Sequence, residues 1–212
     1  MIDRRPQQRM RQPVLEVTDL RRPALKPASF TLSTGECVAV RGPSGAGKTL
    51  LLRAIADLDP NEGRVALDGV DREAIPAPEW RRKVAYVPAE PGWWADGVGE
   101  HFADWPRAAA LLPKVGLPDD VKAWPVARCS TGERLRLALV RALALEPRVI
   151  LLDEPTAALD AVTVASVEAL IHDRLATGMS ALWVTHDDDQ AVRVARRILA
   201  VHAGEVREAA LP

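Results

Sequence analysis

The chain has 212 residues, 48% of them hydrophobic, with 28 Lys and Arg against 29 Asp and Glu for a formal net charge of -1. That length suits one sizeable core with a small inserted lobe, and the composition excludes both a disordered chain and a polycationic nucleic-acid binder. The longest apolar runs, at 149–152 and 108–112, stop well short of the roughly 18 to 20 residues a membrane span needs, so the chain is not expected to cross a bilayer by itself.

Residues 1–13 carry Arg4, Arg5, Arg9 and Arg11 around no apolar core. This excludes a secretory signal and predicts a flexible, solvated tail and a cytosolic address. One α/β domain is expected over 14–212. β-rich runs at 14–17, 30–32, 37–40 and 64–67, with turns at Gly35, Gly63 and Gly69, suggest a small antiparallel layer beside a parallel core.

Gly42-Pro43-Ser44-Gly45-Ala46-Gly47-Lys48-Thr49 fits the pattern G-x-x-x-x-G-K-[ST], between the strand at 37–40 and a helix predicted over 50–57. Glycines let backbone N–H groups converge on phosphate oxygens, and the helix N-terminus adds the positive end of its dipole. In that setting Lys48 reaches the β and γ phosphates of a nucleoside triphosphate, and the Thr49 hydroxyl ligates magnesium.

A buried strand is predicted at 84–87, followed by a mainly helical insertion over about 88–146 that holds Trp93, Trp94, Trp105 and Trp124. No basic groove interleaves with these tryptophans, so they read as packing or partner contacts rather than a stacking platform for bases. Within the insertion, Ser130-Thr131-Gly132-Glu133 has capping-box spacing ahead of an apolar-periodic helix over 134–144. Such a helix start can also grip an anion.

The run at 149–154 is a buried strand ending in Asp153 and Glu154, at the carboxyl edge of a sheet. Asp153 suits a magnesium ion held through its water shell, and Glu154 suits a carboxylate that polarises the attacking water. Asp160 of Ala158-Leu159-Asp160 is a candidate N-cap for a helix over 161–176. His186 ends a strand over 181–185 and reads as a γ-phosphate sensor. Asp187, Asp188 and Asp189 then open a helix that closes on Arg196 and Arg197, ahead of a last strand at 198–201. His101, His172 and His202 have no such context, and Cys37 and Cys129 read as buried reduced thiols.

In this order the five elements resemble the ATPase cassettes of ABC transporters, from about residue 14 to residue 205. Residues 42–49 look like Walker A, Ser130-Thr131-Gly132-Glu133 like the signature, 149–154 like Walker B, Ala158-Leu159-Asp160 like the D-loop, and Trp183-Val184-Thr185-His186-Asp187 like the switch-histidine segment. The resemblance implies a P-loop NTPase fold of the α/β class, with a parallel core sheet, a small antiparallel β subdomain and an inserted helical subdomain. It implies ATP and Mg2+ as ligands and a head-to-tail homodimer. Each ATP would lie between Walker A of one copy and Ser130 and Gly132 of the other, with Asp160 close by. It also implies an integral membrane permease as partner, at the cytoplasmic face of the membrane, and no nucleic acid. Residues 182–187, His202-Ala203-Gly204-Glu205 and the small size look most like the Fet-type subunits, associated with export of iron or another metal.

Three departures stand against that pattern. Ala89 occupies the Q-loop glutamine position, so either Glu90 substitutes or turnover and coupling are weakened. Residues 19–28 hold no aromatic side chain for the adenine, leaving Arg21 or Arg22 as a stacking plane. Cys129 and Thr131 replace the commoner Leu and Gly of the signature. The rival readings are a soluble ABC ATPase outside transport and a weakened nucleotide-binding regulatory module.

Overall fold

The structure, a computed structural model, describes residues 13–210. Except for Pro13, the expected tail lies outside the described residues. In chain order the elements are β1 (Pro13–Arg22), β2 (Leu25–Ser33), β3 (Cys37–Arg41), α1 (Lys48–Ile55), β4 (Glu62–Leu67), β5 (Val70–Asp71), α2 (Ala77–Lys83) and β6 (Val84–Val87). After α3 (Trp105–Ala109) come α4 (Thr131–Leu143), β7 (Val149–Asp153), α5 (Ala161–Ala176), β8 (Ser180–Val184), α6 (Asp188–Val194), β9 (Arg197–His202) and β10 (Glu205–Ala209).

Two sheets form. The antiparallel one has the order β2-β1-β4-β5, and the other has the order β10-β9-β3-β8-β7-β6. Within the second, β9, β3, β8, β7 and β6 run parallel and only β10 is antiparallel. The central strands divide their side chains by period two between two apolar clusters, as strands buried on both faces must. Cys37, Ala39, Ile150, Leu152, Ala181 and Trp183 face the cluster shared with α4, α5 and α6. Val38, Val40, Val149, Leu151, Leu182 and Val184 face the cluster shared with α1 and the antiparallel sheet.

Several expected boundaries shift, each for a local reason. The strand at 37–40 belongs to the parallel sheet rather than the antiparallel layer. α1 starts two residues earlier than expected because Gly47, in a left-handed conformation at φ 109°, serves as its N-cap. The helix after His186 ends at Val194, so Arg196 lies beyond it and Arg197 opens β9. Before α4, the segment expected to be mainly helical holds one five-residue helix, α3, and the 3₁₀ turns Val98–His101, Leu112–Val115, Asp119–Ala123 and Val126–Arg128. Pro106, Pro113, Pro118 and Pro125 remove backbone donors there and stop longer helices from propagating. Cys37 and Cys129 are buried free thiols, as expected.

The tryptophans of this segment pack. Trp93, Trp105 and Trp124 lie against the core while Trp94 stays exposed. A cation covers each ring: Arg141 sits 4.9 Å and 5.0 Å from Trp93 and Trp94, Lys122 5.4 Å from Trp105, and Arg128 3.9 Å from Trp124. His101 is buried between Trp93 and Trp94, whereas His172 and His202 are exposed.

α1 is anchored at its C-terminal end. Its last carbonyls accept from the Arg72 guanidinium (Ala54 O, 2.9 Å) and the Trp80 indole N–H (Ile55 O, 3.0 Å), which satisfies groups a helix end leaves unpaired. Trp80 is fully buried. Trp80→Phe should therefore strand the Ile55 carbonyl and lower the unfolding free energy by about 1 to 3 kcal/mol. Urea denaturation would show this as a lower midpoint with an unchanged m-value.

Candidate functional site

The phosphate loop runs from the end of β3 into α1, and its geometry excludes side chains where glycine stands. A Cβ on Gly42 would lie 2.0 Å from the Val201 carbonyl oxygen, so the loop can leave β3 against β9 only with glycine there. Gly47 gives α1 no side-chain cap, which leaves the first-turn N–H groups to a ligand. The Lys48 ammonium folds back on the loop, donating to Gly42 O and Pro43 O at 2.9 Å each. Burial lowers its pKa, while Glu154 and Asp153 act to raise it. Two of its three N–H donors go to neutral carbonyls, so the charge itself is unmatched in hydrogen bonding.

Asp153 ends β7 almost fully buried and reaches the same loop. Its Oδ2 accepts from the Thr49 hydroxyl at 2.8 Å and from the Tyr86 hydroxyl at 3.0 Å. Burial, and then the Asp153 charge, push the Tyr86 phenol above its ordinary pKa, which keeps it protonated and donating at neutral pH. Glu154 turns elsewhere, with a left-handed backbone at φ 51°. Its Oε1 lies 2.7 Å from His186 Nε2. The two neighbouring acids thus serve different partners, one toward Thr49 and one toward His186.

The donor set fits a hydrated magnesium ion. Thr49 and Asp153 offer hard oxygens side by side, and magnesium characteristically keeps several waters and completes its shell with phosphate oxygens. Among the described residues there is no group of three or more His, Cys, Asp or Glu that would hold a metal by protein ligands alone.

Ser130 caps α4. Its Oγ accepts from Glu133 N at 3.2 Å while Glu133 Oε2 accepts from Ser130 N at 2.8 Å, closing the capping box. Neither bond uses the hydroxyl hydrogen. Asp160 caps α5, accepting from Thr163 N at 2.9 Å and from the Thr163 hydroxyl at 2.7 Å. The Thr163 backbone N–H holds the Asp160 carboxyl below the usual carboxylate range. Gly132 packs under Leu159 and Ala158, where an added Cβ would meet them at 3.1 and 3.2 Å. Thr49 and Asp153 are thus bonded to each other and Glu154 to His186, while Gly132 lies against Ala158 and Leu159. Among the described residues no hydrogen bond or ion pair joins 130–133 to 42–49.

Residues 25–157 match the ABC transporter family. The chain belongs to the ABC transporter ATP-binding family. It is 38% identical over 211 residues to the sulfate/thiosulfate import ATP-binding protein CysA of Brucella melitensis, covering 90% of this chain and 57% of that one. The chain thus spans little more than half the length of that relative. It is 34% identical over 194 residues to the probable iron export ATP-binding protein FetA of Escherichia coli K12, covering 85% and 86% of the two chains. A dimeric ATP-binding cassette in a post-hydrolysis state with ADP and phosphate superposes with a TM-score of 0.81, at 26% identity, over 93% of this chain and 99% of that one.

Glu90 is exposed beside an exposed Ala89, and it is Tyr86, three residues before Ala89, that meets Asp153. Arg21 donates to Glu62 at 2.6 Å and Arg22 pairs with Asp59, so each guanidinium already has a carboxylate. Tyr86 went unnoticed in the sequence because its role depends on strand register: Tyr86 pairs with Leu151, two residues before Asp153 on the same face. A second unforeseen group is Gln190, buried in α6, whose amide donates to the Thr156 hydroxyl at 3.1 Å and to Glu168 at 2.9 Å.

Because Ser130 is both cap and candidate ligand, the two roles separate by substitution. Ser130→Ala should cost about 1 kcal/mol of stability, whereas Ser130→Asp, an equally good cap, should cost a few tenths at most. Thermal or denaturant unfolding of both variants checks this.

Proposed function

We propose that this chain binds and hydrolyses ATP as a homodimer and drives a separate integral membrane permease from the cytoplasmic face of the membrane. The observation that carries this reading is the division of the binding groups. Lys48, Thr49 and Asp153 make one half of a nucleotide site, while the Ser130 helix start, with Gly132 against Ala158 and Leu159, shares no hydrogen bond with them among the described residues. A second copy brings the missing half, and each of two identical sites in a symmetric dimer is then completed by the partner.

In this reading the first turn of α1 and Lys48 bind the β and γ phosphates, and Ser130 with the Gly132 backbone closes over the γ phosphate from the other copy. Thr49 and Asp153 hold magnesium, which when bound neutralises charge on the phosphate oxygens. Glu154 orients the attacking water and accepts its proton, and His186, 2.7 Å away, fixes Glu154 and senses the γ phosphate. Asp160 lies at the dimer seam. The narrower reading, a metal-export system, is supported by the FetA-like relative, with which this chain shares nearly its whole length. Relatives named for sulfate and thiosulfate import share a similar identity.

Glu154→Gln should arrest hydrolysis and trap an ATP-bound dimer, measured by light scattering after gel filtration with and without ATP. Lys48→Ala and Ser130→Asp should each abolish ATPase activity. An equimolar mixture of the two should recover about a quarter of it, since half the dimers carry one intact composite site. Full activity from a monomer, or no recovery on mixing, would refute the dimer.

Beside the phosphate loop, a hollow of about 350 Å³ is lined by Arg21, Arg22, Pro23, Leu25, Pro27 and Pro60, together with Asn61 and Glu62. Its charged side chains are paired with one another, Arg21 with Glu62 and Arg22 with Asp59, and Asn61 is bonded to Asp59 O and Arg72. A base seated there meets proline and leucine side chains and no aromatic ring, so little in the lining distinguishes one purine from another. ATP and GTP should therefore compete within about threefold of each other, since unread base edges contribute little discrimination. A tenfold preference in competition binding would show that this hollow does not hold the base.

A further inference from the structure

Tyr86 is the one hydroxyl besides Thr49 that reaches Asp153 among the described residues. Both donate to the same carboxylate oxygen, Oδ2, so the bonds fix the plane of the carboxylate rather than spreading over it. Arg53 lies beside the Tyr86 hydroxyl while its own guanidinium is held by Asp59 at 2.7 and 2.8 Å. Arginine can only donate and an ionised aspartate can only accept, so the single phenolic hydrogen goes to Asp153. Arg53 follows Thr49 by four residues on α1, which places both on the same face of the helix. The Arg53–Asp59 pair thus lies next to the hydrogen-bonded group of Tyr86, Asp153 and Thr49.

We propose that Tyr86 is a positioning residue for magnesium binding. Its hydroxyl pins Oδ2 of Asp153 and leaves Oδ1 available to a hydrated ion. This supplies a restraint at the metal end of the site that the exposed methyl of Ala89 cannot. The inference rests on the nucleotide-site reading above, because it concerns the orientation of a ligand within that site. Tyr86→Phe deletes one oxygen and no carbon, so packing in the apolar cluster around the ring is retained.

The test is equilibrium binding of a fluorescent ATP analogue to the full chain, titrated with magnesium chloride at fixed nucleotide, with an EDTA arm and a melting curve for each protein. Tyr86→Phe should raise the magnesium concentration at half-saturation by about three- to tenfold, the range that the net loss of one ordinary hydrogen bond supports. Nucleotide affinity in EDTA should stay at the wild-type value, and the melting curve should remain one cooperative transition with no more than the modest Tm drop of one lost hydrogen bond. An unchanged magnesium midpoint, or a loss of affinity that is equal in EDTA, would overturn the positioning role. Wild-type protein whose nucleotide binding ignores magnesium altogether would instead overturn the nucleotide-site reading itself.

Discussion

The hydrogen bond between Thr49 and Asp153 joins two parts of the chain that the sheet does not place side by side. β8 separates β3, which feeds the phosphate loop, from β7, which carries Asp153, so no strand pairing sets the loop against the acid. The charges around this bond are arranged in an unusual way for buried groups. Lys48 is buried on neutral carbonyls and Asp153 is buried on neutral hydroxyls, and among the described residues neither has an ion-pair partner. Glu154 and Asp153 act on Lys48 only through space, so part of the desolvation cost of these groups stays unmet. Magnesium at Asp153 and phosphate at Lys48 would compensate both together, which favours the metal–nucleotide complex over either component alone.

Glu154 and His186 stand outside that arrangement yet are tied to the body of the protein. Gln190 reaches Thr156, two residues after Glu154, and also Glu168 in α5, which in turn pairs with Arg193 at 2.9 Å. Asp187, next to His186, caps the same helix by accepting from Gln190 N at 3.0 Å, and Asp188 pairs with Arg41 at the end of β3. The loops carrying Glu154 and His186 are therefore not independent. Each is bonded to one network around the buried Gln190 and Glu168, whose mutual hydrogen bonds restrain both loops.

The parts of the site that were legible in the sequence are those set by local chemistry. Gly42 to Thr49 needed only turn and helix-start rules, and Ser130 and Asp160 declared themselves as caps three residues before their partners. The central strands were legible because burial on both faces makes them continuous in apolar residues. The register that brings Tyr86 to Asp153 was not legible, because it arises between strands 67 residues apart in the chain. β10 escaped notice for the opposite reason: Glu205–Ala209 is a mostly exposed edge strand without an apolar run to mark it. The segment before α4 misled because its prolines permit helical turns while forbidding helices of useful length.

Helix starts also bear on the proposed pairing of two copies. α4, α5 and α6 each close their first turn with a side chain of their own: Ser130, Asp160 and Asp187. α1 has Gly47 there and closes nothing. Asp160 and Asp187 put carboxylates on their helix ends and so repel a further anion, whereas Ser130 is neutral and keeps its hydroxyl hydrogen. Of these four helix starts, α1 and α4 are the two that carry no capping carboxylate. In the proposed dimer a triphosphate would lie between the α1 start of one copy and the α4 start of the other.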